Sequence, residues 1–148
     1  MEARPAPAPL WIIAVLALLP FPVSALIYAF APSDLGPGAL TTILTWSAVV
    51  LSFLGGVRWG LESGREDPRA GRLAASVISP IAAWLLVMGR AEMGAALVIC
   101  GFMAAFMLQW LFDHAAPDVP ARYPRLSTTL TAGACISLAM ALEKALRL

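Results

Sequence analysis

The feature that most constrains this chain is a set of long apolar stretches separated by short, punctuated segments. A helix needs about 20 mainly apolar residues to cross the roughly 30 Å hydrocarbon layer of a membrane. The sequence offers five such helices, at approximately 10–31, 39–61, 73–89, 92–112 and 127–146. Membrane-spanning strands would alternate apolar and polar side chains, whereas these runs are apolar on every face. The expected fold is all-α: a polytopic transmembrane helical bundle of about five helices, forming a single domain over residues 1–148.

Composition supports a lipid solvent. Hydrophobic residues make up 60% and charged residues 13% of the chain, with a mean hydropathy of +0.81, whereas soluble domains carry about 25% charge. The formal net charge of +1 provides no basic field for nucleic acid, which is not an expected partner. Arginine far outnumbers lysine alongside heavy alanine use, a bias that favours a bacterial inner membrane. Ala29-Phe30-Ala31 resembles a signal cleavage site, but Pro32 follows it and the apolar run exceeds a usual signal core. The first run is therefore expected to stay as a helix.

The connections set the topology. Pro32 to Gly38 reads as a tight turn, Glu62 to Arg72 is rich in charge, and Pro117, Pro120 and Pro124 interrupt any helix between Asp113 and Arg125. The link near Gly89 to Glu92 is minimal, so neighbouring helices must run antiparallel. One side gathers Arg4, Arg58, Arg65, Arg69, Arg72, Arg122 and Arg125, and the other holds Arg90, Lys144 and Arg147. By the positive-inside rule the N-terminus is expected in the cytoplasm and the C-terminus outside.

Within the helices, Ala48, Ser52, Gly56, Gly60 and Gly64 recur every four residues, as do Thr129, Gly133, Ser137, Ala141 and Ala145. Small residues on one face let helix backbones approach where lipid removes the hydrophobic drive, so both rows are expected to be packing seams, with Gly56 to Gly60 a GxxxG. Pro20 and Pro22 should kink the first helix, and Pro80 the third. Arg58 follows a run whose rise from Ala39 to Val57 already covers about 28 Å. It is expected to snorkel to the cytoplasmic surface beside Trp59 in the aromatic belt, the alternative being an inward site paired with Glu62 or Asp113. Trp11 and Trp110 also read as interfacial anchors, whereas Trp46 and Trp84 lie deeper and would be core.

Chemistry-bearing patterns are scarce. Cys100 and Cys135 sit in apolar runs with no metal-ligand spacing and read as small hydrophobes without a disulfide. His114 lies near Asp113 and Asp118, but the Pro-rich spacing fixes no metal geometry. No nucleophile elbow, catalytic triad order or phosphate-cradling loop is present, so neither an enzyme nor a cofactor is expected. The deep helix segments hold no ionisable group of the kind a coupled transporter uses.

The stretch Leu51-Ser52-Phe53-Leu54-Gly55-Gly56-Val57-Arg58-Trp59-Gly60-Leu61 resembles the signature of a family of small five-helix membrane proteins, the bacterial DUF3429 proteins grouped with the animal transmembrane protein 69. Leu19-Pro20-Phe21, Ser79-Pro80 followed by Trp84, and Tyr123-Pro124-Arg125-Leu126 leading into Leu130-Thr131 match in order. Ser127 departs from the pattern, standing where the family often has a second basic residue. The resemblance implies five helices and an inner-membrane location, and it implies no biochemical activity. The expected function is that of a non-catalytic structural or accessory membrane protein. Its partners would be membrane lipid and a protein at the cytoplasmic loops; lipid or apolar-ligand binding within the bundle comes next, and a transporter or channel third.

Overall fold

The computed structural model describes residues 8–115 and 122–148. Arg4, Pro117, Asp118 and Pro120 lie outside the described residues. Helices α1 (Ala8–Leu18) and α2 (Pro20–Phe30) form the first span, followed by α3 (Gly36–Ser63), α4 (Ala70–Met88), the single turn α5 (Arg90–Met93), α6 (Ala95–Ala115) and α7 (Arg122–Leu146). Among the described residues every element is helical, and five helical segments are long and apolar enough to cross a membrane. Large apolar side chains cover the outside: Ile13, Phe53, Ile78, Leu108 and Ile136 are each more than 60% exposed. Such a surface is stable only against hydrocarbon.

Proline and glycine place the breaks. Pro20, which has no N–H to give the preceding turn, divides the first span and begins α2. Pro124 falls in the first turn of α7, where a missing donor costs nothing. Gly94 takes a positive φ of 79° and turns the chain from α5 into α6. Pro80 lies inside α4, which continues through it.

Trp46 answers the break in the first span. Its indole Nε1 donates to the Ala17 carbonyl over 2.8 Å, so a side chain of α3 satisfies backbone beside the interrupted turn. Trp46→Phe is expected to cost about 1 kcal/mol through the lost donor. A thermal melt in detergent checks this; an unshifted midpoint would mean the bond contributes nothing. Trp84, expected in the interior, is 61% exposed and faces outward.

The core is formed by Phe21 and Ala25 of α2, Ile43, Leu44, Leu51 and Leu54 of α3, Ile99, Phe102 and Phe106 of α6, and Ala134, Leu138 and Ala141 of α7. Phe21 and Phe106 meet edge to face, with centroids 6.0 Å apart. Helix α3 is central, packing on α2, α4 and α6. The α7 row is a seam: Ser137 and Ala141 are buried, and a Cβ at Gly133 would collide with Leu18. The α3 row is not. Gly56 and Gly60 are exposed, and a Cβ on either would meet nothing within 4 Å. Close approach on α3 occurs one residue earlier, at buried Gly55, where an added Cβ would lie 2.6 Å from the Ser76 carbonyl oxygen and 2.9 Å from Pro80 Cδ. The seam is offset because the buried face of α3 runs through Ser47, Leu51, Leu54, Gly55, Arg58 and Glu62.

Candidate functional site

That buried face carries charge at one end of the bundle. Arg58 lies one turn beyond Leu54, and its side chain is only 7% exposed. The expected snorkelling to the surface does not occur: the side chain turns inward, with Nε 3.5 Å from Oδ1 of fully buried Asp113 on α6. The guanidinium also sits over the Phe112 ring, Cζ being 4.5 Å from the centroid, a geometry favourable to a cation held away from water. Depth along the helix allowed either orientation. The direction around the axis was decided by the company: Phe102, Phe106, Gln109 and Asp113 follow one another at helical spacing on the buried face of α6.

A buried carboxylate is tolerable only when its lone pairs are occupied. Gln109 Nε2 donates to Asp113 Oδ1 over 2.9 Å, and Ser127 Oγ of α7 donates to Oδ2 over 2.8 Å. Gln109 Oε1 in turn accepts from Ser79 Oγ of α4. Tyr123, one turn before Ser127, donates its hydroxyl to the Leu54 carbonyl of α3 over 3.3 Å. Four helices thus meet at one polar cluster. Arg58 Nε has no hydrogen bond, because 3.5 Å is an electrostatic contact beyond ordinary hydrogen-bond range, and buried Thr131 Oγ1 is likewise unpartnered.

A second ionic group closes the same end. Glu62, one turn beyond Arg58, is buried, accepts from the Arg69 backbone N–H over 2.8 Å, and lies 3.3 Å from Arg65 Nε and 3.7 Å from Arg72 Nη1. It ties the end of α3 to the start of α4. Trp59 is 47% exposed beside this cluster, Arg125 is exposed, and Pro124 is half-buried in the first turn of α7. His114 stacks on Trp110 with centroids 4.4 Å apart, and Trp110 Nε1 donates to Thr128 Oγ1 over 2.9 Å. Among the described residues no three metal-binding side chains converge.

Of the residues singled out in the sequence, Arg58, Gly55, Pro80 and Tyr123 are brought to this end of α3 and its neighbours, whereas Gly56, Gly60 and Trp84 face outward and Pro20 lies in the first span. Gln109 was missed, and Ser79 and Ser127 were noted only within the family resemblance, with no role in a polar cluster. The available signal was their alignment: Gln109 and Asp113 are four residues apart on one helix, and a polar pair inside an apolar run must face a partner.

The family model described as "Protein of unknown function (DUF3429)" matches residues 6–143. The chain belongs to this family. Transmembrane protein 69 of Xenopus tropicalis is 32% identical to this DUF3429 chain over 141 residues, covering 91% of the chain and 54% of that protein. The chain therefore spans about half the length of the curated relative it matches. No solved structure matches it. The family match covers every element that builds the ionic cluster, from α3 through most of α7.

Proposed function

We propose that this DUF3429 protein is a non-catalytic accessory protein of a bacterial inner membrane, with its N-terminus cytoplasmic, meeting lipid headgroups or a protein partner through its arginine-rich loops. One observation carries this reading. The buried ionisable groups are committed to holding helices together, because both Asp113 oxygens are engaged by α6 and α7 donors and Glu62 is surrounded by the backbone and guanidinium groups that begin α4. With each oxygen already accepting from a helix donor, the Asp113 carboxylate serves the packing of α6 against α7. Outward-facing Trp84, and a Trp46 indole engaged by Ala17, support an accessory role over capture of an apolar ligand within the bundle.

The test is site-specific photocrosslinking in native membranes from Glu66 and Arg125, both exposed near the cluster, with lipid-facing Phe53 as reference. Discrete protein or headgroup adducts at Glu66 and Arg125, absent at Phe53, are expected. The same diffuse adducts at all three positions would contradict the reading.

A further inference from the structure

At the bundle end away from the Arg58 cluster, α2 and α7 finish side by side and leave an open groove of about 240 Å³, walled by Ala29, Phe30 and Met140 and edged by Glu143, Lys144 and Arg147. Its position is chemically mixed by construction. Phe30 is 78% exposed, and Leu26 and Ile27 continue an apolar face down α2 at hydrocarbon depth. The charged edge lies at the last turn of α7, where headgroup phosphates sit. The charges are unequal: Glu143 is taken by Arg147, while Lys144 has no ion pair among the described residues. The helix C-terminus adds negative potential there, which holds the ammonium in place.

We propose that this groove is a binding site for one anionic phospholipid, its phosphate on Lys144, its glycerol against Met140 and Phe30, and an acyl chain along the exposed face of α2. The occupant is a lipid and not a free phosphate ester, because an apolar wall continuous with the hydrocarbon-facing surface rewards an acyl chain and offers a small soluble anion nothing beyond one lysine. The inference uses none of the residues that carry the accessory role, so either can fail alone.

The test is native mass spectrometry of the full chain in detergent, titrated with phosphatidylglycerol or phosphatidylcholine. The wild type is expected to retain phosphatidylglycerol preferentially. Lys144→Gln should lower that retention roughly fivefold, as removal of one interfacial cation implies, and leave phosphatidylcholine unchanged. Lys144→Arg, which keeps the charge, should behave as wild type, and excess glycerol phosphate should displace nothing. Equal retention of the two lipids by wild type, unaltered phosphatidylglycerol binding in Lys144→Gln, loss of preference in Lys144→Arg, or displacement by glycerol phosphate would each overturn the assignment.

Discussion

Asp113→Ala is expected to lower the stability of the bundle by about 3–5 kcal/mol, the usual consequence of leaving a buried charge without its partner. The substitution removes the carboxylate that faces Arg58 and strands the donors of Gln109 and Ser127, which now point at an apolar methyl. Asp113→Asn should be milder, since the amide oxygen still accepts from a neighbour while the charge is gone. The informative companion is Arg58→Met with Asp113→Leu, which replaces the ion pair by apolar groups of similar size. Such exchanges are often neutral or stabilising in other proteins, so the double variant should recover the part of the loss caused by the unpaired guanidinium, while the Gln109 and Ser127 donors stay stranded. Thermal or denaturant unfolding in detergent measures all three against the wild type. A double variant as unstable as Asp113→Ala would show that the pair is not the source of the effect.

Gly55→Ala should be damaging where Gly56→Leu is tolerated. At Gly55 the added carbon would lie 2.6 Å from a backbone oxygen of α4 and 2.9 Å from the Pro80 ring, neither of which is the movable end of a flexible chain. The helices must separate, at a cost of about 1–3 kcal/mol for overpacking. The larger Gly55→Leu should prevent assembly of α3 on α4. At Gly56 nothing lies within 4 Å, and a leucine there would only add to the lipid-facing surface. Comparable melting temperatures for Gly55→Ala and Gly56→Leu would remove the α3–α4 contact as a determinant of stability.

These two predictions also mark how far the sequence could be read. Length and hydropathy along the chain gave the five spans, because crossing hydrocarbon is a one-dimensional requirement that each stretch meets alone. The break at Pro20 was equally local, since the missing N–H belongs to the proline itself. What was not legible was direction around each helix axis. Rows of small residues through Gly56 and through Gly55 differ by only one residue, and the choice depends on where α4 lies. Arg58 has the same ambiguity: its depth permits snorkelling, and only the alignment of Gln109 and Asp113 on α6 with Ser127 on α7 turns it inward. Ser127 is the instructive case. The family resemblance led to the expectation of a basic residue at this position, whereas the serine present is fully buried and its hydroxyl holds Asp113 Oδ2. A neutral donor suits that position, since it satisfies the carboxylate without competing with Arg58 for its charge.

The crossing of the membrane by an odd number of helices is tested most directly by labelling single cysteines with an impermeant maleimide, from each face in turn. The cysteines replace exposed Asp34, Glu66, Glu92 and Leu148 one at a time in a chain carrying Cys100→Ala and Cys135→Ala. Five crossings require Glu66 to label from one face, the cytoplasmic one in the proposed orientation, and Asp34, Glu92 and Leu148 to label from the other. Labelling of Glu66 and Glu92 from the same face, or of all four positions in intact vesicles regardless of side, would contradict the five-span bundle.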